Sequence, residues 1–181
     1  MSPTATSFET VSVRAPQAPA QGTMINVTST SFDDGGSIDL DFAFTGCGGK
    51  NQSPQLSWSG APSGTKSFAI TCFDPDAPTG SGYWHWLACD IPASVTKLDA
   101  GAGTDRAPAG GKGASNDYGI STYGGPCPPK GDGAHRYIFT VYALDVASLP
   151  HVTDKTHGAS FVFMMRGHVL ASGSTVGTFG H

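Results

Sequence analysis

Asp74, His85, His135 and Tyr137 are the side chains whose types and settings best suit them to chemistry. Each stands where a β-prone run meets a loop or a proline break. His135, Tyr137, Phe139 and Val141 recur with the period of two that places them on one strand face, with Arg136, Ile138, Thr140 and Tyr142 on the other. Phe68, Ile70, Cys72 and Asp74 alternate in the same way, so a carboxylate ends an apolar row. Two imidazoles, a carboxylate and a phenol fit three chemistries. One is a two-histidine, one-carboxylate metal triad; another is an acid–base pair. The third is an anion site, in which imidazole and phenol hydrogens are donated and a glycine-rich turn offers a nest of amides. There Asp74 must point at a histidine or a loop amide, because a free carboxylate repels an anion and favours a charged imidazole. The spacing is long-range, so the four are also open to a plainer reading as unrelated strand edges.

Short-range signatures of other sites are missing. The sequence holds no H-E-x-x-H and no paired C-x-x-C for zinc. It has no G-x-S-x-G nucleophile elbow, no P-loop, and in Gly131-Asp132-Gly133 too little for a dinucleotide fingerprint. No metal or cofactor is therefore assigned. Cys127 lies in the stiff loop Gly124-Gly125-Pro126-Cys127-Pro128-Pro129 near His135, a setting that can activate a thiol. A small packing thiol is the favoured reading of it. Trp58, Trp84 and Trp86 read as core or pocket wall, and His151, His157 and His181 as solvated.

The elements that must position these groups follow from the hydrophobic pattern. Residues 23–31 are β-prone and stop at Asp33-Asp34-Gly35-Gly36. Ile38, Leu40, Phe42 and Phe44 alternate with Ser37, Asp39, Asp41 and Ala43, which predicts a half-buried strand. A short strand at 56–58 precedes a firm one over 66–74, which Pro75 and Pro78 end by removing backbone donors. Over 83–90, alternation predicts His85, Leu87 and Cys89 facing opposite to Trp84, Trp86 and Ala88. Residues 96–119 read as one long connection, of the kind that is usually functional or mobile. A strand over 135–144 follows. Residues 156–170 give the one plausible helix, with Phe161, Met164, Met165 and His168 at i, i+3, i+4 and i+7. That apolar run serves a core or a dimer interface equally well. Residues 171–179 predict a last short strand.

Composition narrows the class. The 181 residues suit one domain with a real core. Charged residues make up 13%, the net charge is −4, and the ten Lys and Arg are scattered, which excludes a nucleic-acid surface. The 25 glycines and 13 prolines suit short strands joined by tight turns. No apolar run approaches the roughly 20 residues of a membrane helix, so no integral membrane association is expected. Residues 1–22 lack a basic and an apolar region, which argues against a secretory signal; they read as a mobile arm ahead of a single domain at 23–181. Cys47, Cys72, Cys89 and Cys127 are widely separated, so free thiols in a reducing cytoplasm are the expectation.

At these residues the chain resembles the phosphatidylethanolamine-binding protein family, in particular its bacterial and archaeal Raf-kinase-inhibitor-like branch. The matching segments are Ser53-Pro54-Gln55-Leu56-Ser57-Trp58-Ser59-Gly60, Gly64-Thr65-Lys66-Ser67 and Asp74-Pro75-Asp76-Ala77-Pro78. They continue through His85-Trp86, Ile91-Pro92, Tyr123-Gly124-Gly125-Pro126-Cys127-Pro128-Pro129, Gly133-Ala134-His135-Arg136-Tyr137, Gly167-His168 and Gly177-Thr178. The resemblance implies a mostly β, Greek-key sandwich with one C-terminal helix and long loops. It implies a pocket for phosphate-like anions or phospholipid head groups, built from Asp74, His85, His135 and Tyr137 with Pro126 and Pro128 shaping the wall. It also implies a non-enzymatic binding or regulatory role, a kinase or protease as protein partner, and a homodimer. The competing class is a hydrolase or metal-dependent enzyme using the same histidines and Asp74. The chain departs from the family at Phe179, where many relatives carry tyrosine, in the unusually apolar Phe161-Val162-Phe163-Met164-Met165, and in the arm.

Overall fold

The chain's most apolar β-prone run becomes the strand buried on both faces. In the computed structural model, which describes residues 24–180, this is β3 (Ser67–Asp74), the third of eight strands and buried at every position. The predicted arm, 1–22, lies outside the described residues, as does His181. The other strands are β1 (Asn26–Thr28), β2 (Leu56–Ser59), β4 (Tyr83–Pro92), β5 (Lys97–Leu98), β6 (Lys112–Gly113), β7 (His135–Leu144) and β8 (Val169–Phe179). One helix, α1 (Gly158–Met165), precedes β8. The fold is thus mostly β with one late helix, as predicted.

Five strands form an antiparallel sheet in the order β6-β4-β3-β7-β8, and β1-β2-β5 form a second sheet. Within the larger sheet β3, β4 and β6 are successive neighbours, and β7 returns beside β3. That over-and-back return is the Greek-key arrangement. One face of the large sheet packs on the small sheet through Ile25, Leu56, Trp58, Phe68, Ile70, Trp86, Tyr137, Phe139 and Val141. The opposite face buries Leu87, Cys89, Leu144, Leu149, Phe161 and Met165 beneath α1 and its loops. Each well-buried Leu, Ile or Phe of this kind contributes about 1.5–3 kcal/mol relative to exposure.

Several local expectations give way to tertiary context. The alternating run at 37–44 is not a strand. It makes a 3-10 turn at Leu40–Phe42 and leaves Leu40 53% exposed. Only its start meets a strand, where the Ile38 amide donates to Thr178 O of β8; beyond that the backbone bonds to loops, with Phe44 N–H donating to Pro126 O and Asn51 N–H to Ala43 O. The predicted helix at 156–170 is only eight residues long. Gly167 takes a positive φ of 88°, the left-handed conformation that ends helices, and Val169 and Leu170 already belong to β8. Phe161 and Met165 are core residues, Phe163 is 70% exposed, and His168 lies past the helix end, bonded to Asp145. The connection at 96–119 also contains β5, β6 and a 3-10 turn at Pro108–Gly110.

The thiol expectation is half corrected. Cys72 and Cys89 are free and buried, but Cys47 and Cys127 form a disulfide across 80 residues. Spacing along the chain hid the pairing, because only the packed fold brings the 45–48 turn against the 124–133 loop. The bond also withdraws the premise on which a cytoplasmic location was expected. Among the described residues, no helix is long and apolar enough to cross a membrane.

Candidate functional site

Three strand ends meet at one edge of the large sheet. β3 lies between β4 and β7, so Cys72 faces Trp86 on one side and Phe139 on the other. One residue further along, Phe73 pairs with Trp84, so β4 carries one extra residue there, and that residue is His85. Bulges of this kind re-aim a side chain. The expected alternation fails as a result: Trp86 packs between the sheets and Trp84 against the opposite core, although both were predicted on one face. His85 turns toward Tyr137, with ring centroids 5.0 Å apart and nearly perpendicular. Asp74, His85, His135 and Tyr137 therefore converge on one cavity of about 250 Å³, the size of a small ion or head group.

Asp74 is fully engaged. Its Oδ2 lies 2.8 Å from His135 Nδ1, and its Oδ1 accepts from the amides of Asp76 and Ala77 at 2.8 and 3.1 Å. Burial pushes the carboxyl up from its usual range, while the His135 and Asp76 contacts pull it back. The constraint set by anion chemistry is met, since Asp74 points at a histidine and at loop amides. Asp76, the second carboxylate of its segment, takes the Arg136 guanidinium in a two-pronged contact at 2.9 and 2.7 Å, and the Arg136 amide at 2.9 Å. The guanidinium holds the Asp76 carboxyl below its usual range. This clamp staples the loop after β3 to the start of β7.

The two histidines differ. His135 has a second carboxylate, Asp132 Oδ2, 3.4 Å from its Nε2. His85 meets no carboxylate among the described residues; its Nδ1 donates to Gly124 O at 2.8 Å. Burial drives the His85 pKa down to about 4, against the opposing pull of the Gly124 and Gly125 carbonyls. His85 is therefore neutral at pH 7, with its hydrogen on Nδ1 and a lone pair on Nε2. Tyr137 is fully buried, and burial followed by the nearby Asp74 raises its phenol, so it stays an O–H donor. Its hydroxyl has no hydrogen-bond partner among the described residues.

Tyr118, which sequence reasoning missed, lines the wall, and Asn116 holds it from behind. Tyr118 stacks on Phe44 at 4.1 Å, donates its hydroxyl to Gly125 O, and meets Tyr83 and His85 edge-on. Asn116 fixes the same corner by donating to His85 O and Thr122 O and accepting from the Tyr118 and Ile120 amides. Both lie in the long connection at 96–119, whose length marks it as functional or mobile but singles out no residue within it. Of the two predicted wall prolines, Pro128 lines the cavity, while Pro126 stands behind it with its carbonyl taking the Phe44 amide. Gly125 packs so closely on Phe42 O and Ala43 that no Cβ fits. Cys127 also lines the cavity, tied into the disulfide rather than presenting a thiol. Among the described residues, no three His, Cys, Asp or Glu side chains are placed to hold a metal ion.

Comparison with known proteins gives the same picture. The family described as phosphatidylethanolamine-binding protein matches residues 28–180. The Escherichia coli UPF0098 protein YbcL is 44% identical over 158 residues, covering 84% of this chain and 86% of its own. Its crystal structure, described as a new member of the mammalian PEBP family, superposes with a TM-score of 0.82 over 87% of this chain and 98% of that one, at 42% identity. YbhB of the same organism is 42% identical over 159 residues, covering 86% of this chain and 99% of its own. Lipoprotein LppC of Mycobacterium tuberculosis is 40% identical over 124 residues, or 68% of this chain and 57% of its own. A match over most of the chain, on a fold that assembles the Asp74, His85, His135 and Tyr137 cavity, makes this protein a member of the phosphatidylethanolamine-binding protein family.

Proposed function

We propose that the cavity between Asp74, His85, His135 and Tyr137 binds small phosphate-like oxyanions and holds them without reaction. The observation that carries this is the Tyr137 hydroxyl, a buried donor that lines the cavity and has no partner among the described residues. A buried hydroxyl left unpaired is unfavourable by about 1–3 kcal/mol. A bound oxygen removes that penalty. His135 supplies a second polar contact and the aromatic rings of Tyr83 and Tyr118 close the sides. Holding rather than reacting is supported by what the site's groups already do: Asp74 has both oxygens occupied and Cys127 is in a disulfide. Neither is free to attack as a nucleophile. A cavity this small makes few contacts, so affinity is expected between millimolar and micromolar, about 4 to 8 kcal/mol. Titration with inorganic phosphate while following the ring signals of His85 and His135 by NMR tests this. Saturable shifts at both rings are expected, and silence at both up to tens of millimolar rejects it.

A further inference from the structure

We propose that this pocket selects oxyanions that still carry a hydrogen, such as inorganic phosphate or a phosphomonoester monoanion, over hydrogen-free sulfate and phosphodiesters. The proposal rests on the oxyanion reading above and concerns which oxyanions the site takes.

The argument begins with His85. Its Nδ1 faces the Gly124 carbonyl at 2.8 Å. A carbonyl only accepts, so the hydrogen sits on Nδ1 and the other ring nitrogen bears a lone pair. The surroundings keep that arrangement in place. His85 is 3% exposed and lies in the bulge of β4, its own carbonyl is held by Asn116 Nδ2 and the Gly124 amide, and Tyr118 and Tyr137 pack edge-on against its ring. Turning the ring over would forfeit the Gly124 bond without offering Nδ1 a new partner. His85 therefore gives the cavity an acceptor, not the donor that an imidazole in an anion site suggests at first sight.

His135 has a second carboxylate on its far side, outside the cavity lining. Asp132 Oδ2 stands 3.4 Å from His135 Nε2, on a side chain 40% exposed. The donor available to a ligand is the Tyr137 hydroxyl, because the hydrogen that the geometry places on His135 lies between Nδ1 and Asp74. An oxyanion bearing only lone pairs satisfies that donor but meets His85 Nε2 lone pair to lone pair. One that brings its own O–H donates it to His85 and accepts from Tyr137. Phosphate holds such a hydrogen throughout the neutral range, whereas sulfate and phosphodiesters hold none.

The test is calorimetric titration of the full chain at about pH 6 and constant ionic strength with three probes: inorganic phosphate, sulfate and dimethyl phosphate. Phosphate is expected to bind about ten- to hundredfold more tightly than sulfate, the range set by leaving one buried polar group unpaired. Sulfate carries the larger negative charge at that pH, so charge alone predicts the reverse order. Sulfate equal to phosphate overturns the hydrogen rule and leaves the oxyanion reading standing. Dimethyl phosphate equal to phosphate overturns it as well and identifies a lipid-type diester as the ligand. Silence with all three rejects both readings. His85→Gln, whose amide can turn an NH2 into the cavity, is expected to shrink the phosphate-to-sulfate ratio to within about threefold; an unchanged ratio removes His85 from the selection. Should that variant not fold, ring 15N spectra of the unaltered chain decide. A lone-pair Nε2 on His85 that shifts when phosphate binds supports the proposal, and a hydrogen on that Nε2 overturns it.

Discussion

The two ends of β7 carry the same pair of side chains in opposite surroundings. At its start His135 meets Asp74 at 2.8 Å, with side chains 5% and 3% exposed. Just past its end Asp145 meets His168 at 2.9 Å, with side chains 44% and 43% exposed. Distance and chemistry are nearly equal, so the difference in consequence comes from burial and from what else the carboxylate does. Asp74 also anchors two loop amides, and the loop it anchors is clamped onto β7 by Asp76 and Arg136. The disulfide and Asn51 fasten the opposite wall of the same cavity. The far end has a solvated pair, a turn, and the exposed Phe163. One end is built to hold a shape against solvent, and the other tolerates solvent.

Removing the buried carboxylate is the harshest way to sharpen this contrast. Asp74→Ala leaves His135 facing apolar space on one side and strips the Asp76 and Ala77 amides of their acceptor. Breaking a buried pair by deleting one partner destabilises by about 3–5 kcal/mol. The expected outcome is a fall of that size in unfolding free energy measured by urea denaturation, together with loss of the phosphate response at both histidine rings. A fall below about 1 kcal/mol would show that the pocket end draws nothing special from burial.

The second prediction uses pH, and here the sign matters. The unfolded His85 accepts a proton near its ordinary pKa of 6.5, but the folded ring resists until about 4 because burial disfavours the cation. Between those values the unfolded state binds more protons, so stability is present above 6.5 and is lost as pH falls through the window. From neutral pH to about pH 5 the loss attributable to this ring is about 2 kcal/mol. Asp74 works the other way, because its raised carboxyl keeps a proton longer in the folded state. The difference between the parent chain and His85→Gln therefore isolates the ring. Urea midpoints at pH 7 and pH 5 are expected to separate the two proteins at neutral pH and bring them together in acid. Parallel pH profiles would place His85 in a solvated environment and overturn the neutral-ring argument.

Much of the pocket end was legible in the sequence because it depends on strand periodicity. The β7 pattern put His135 and Tyr137 on the inward face, and β3 put Asp74 at the end of an apolar row; both stand so in the fold. His85 was found by type but assigned the wrong neighbours. A single-residue bulge leaves no mark in an alternating string, yet it puts Trp84 on the side of Leu87 and Cys89 and Trp86 on the other. Tyr118, Asn116 and the Cys47–Cys127 bond were hidden because they act across long loops whose approach depends on the whole packed sandwich. The run at 37–44 misled for a related reason: its apolar period of two is genuine, but β8 meets it only at Ser37 and Ile38 before the chain turns away.

The smallest expected effect lies at the far end of β7, where the contrast is easiest to break. Asp145→Asn removes the charge from the His168 contact and leaves an acceptor oxygen in the same place. Exposed ion pairs contribute about 0–1 kcal/mol, because water solvates both partners when they separate and salt screens them when they meet. The local backbone does not depend on the carboxylate, since the Asp145 amide donates to His168 O whatever the side chain. The turn at Gly167 is likewise set by backbone conformation. Asp145→Asn is thus expected to change unfolding free energy by no more than about 0.5 kcal/mol, with phosphate binding unaltered. The length of β7, about 30 Å of chain, separates it from His135. A loss comparable with that of Asp74→Ala would mean that the histidine–carboxylate contact itself, rather than its burial and its loop amides, sets the stability of both ends.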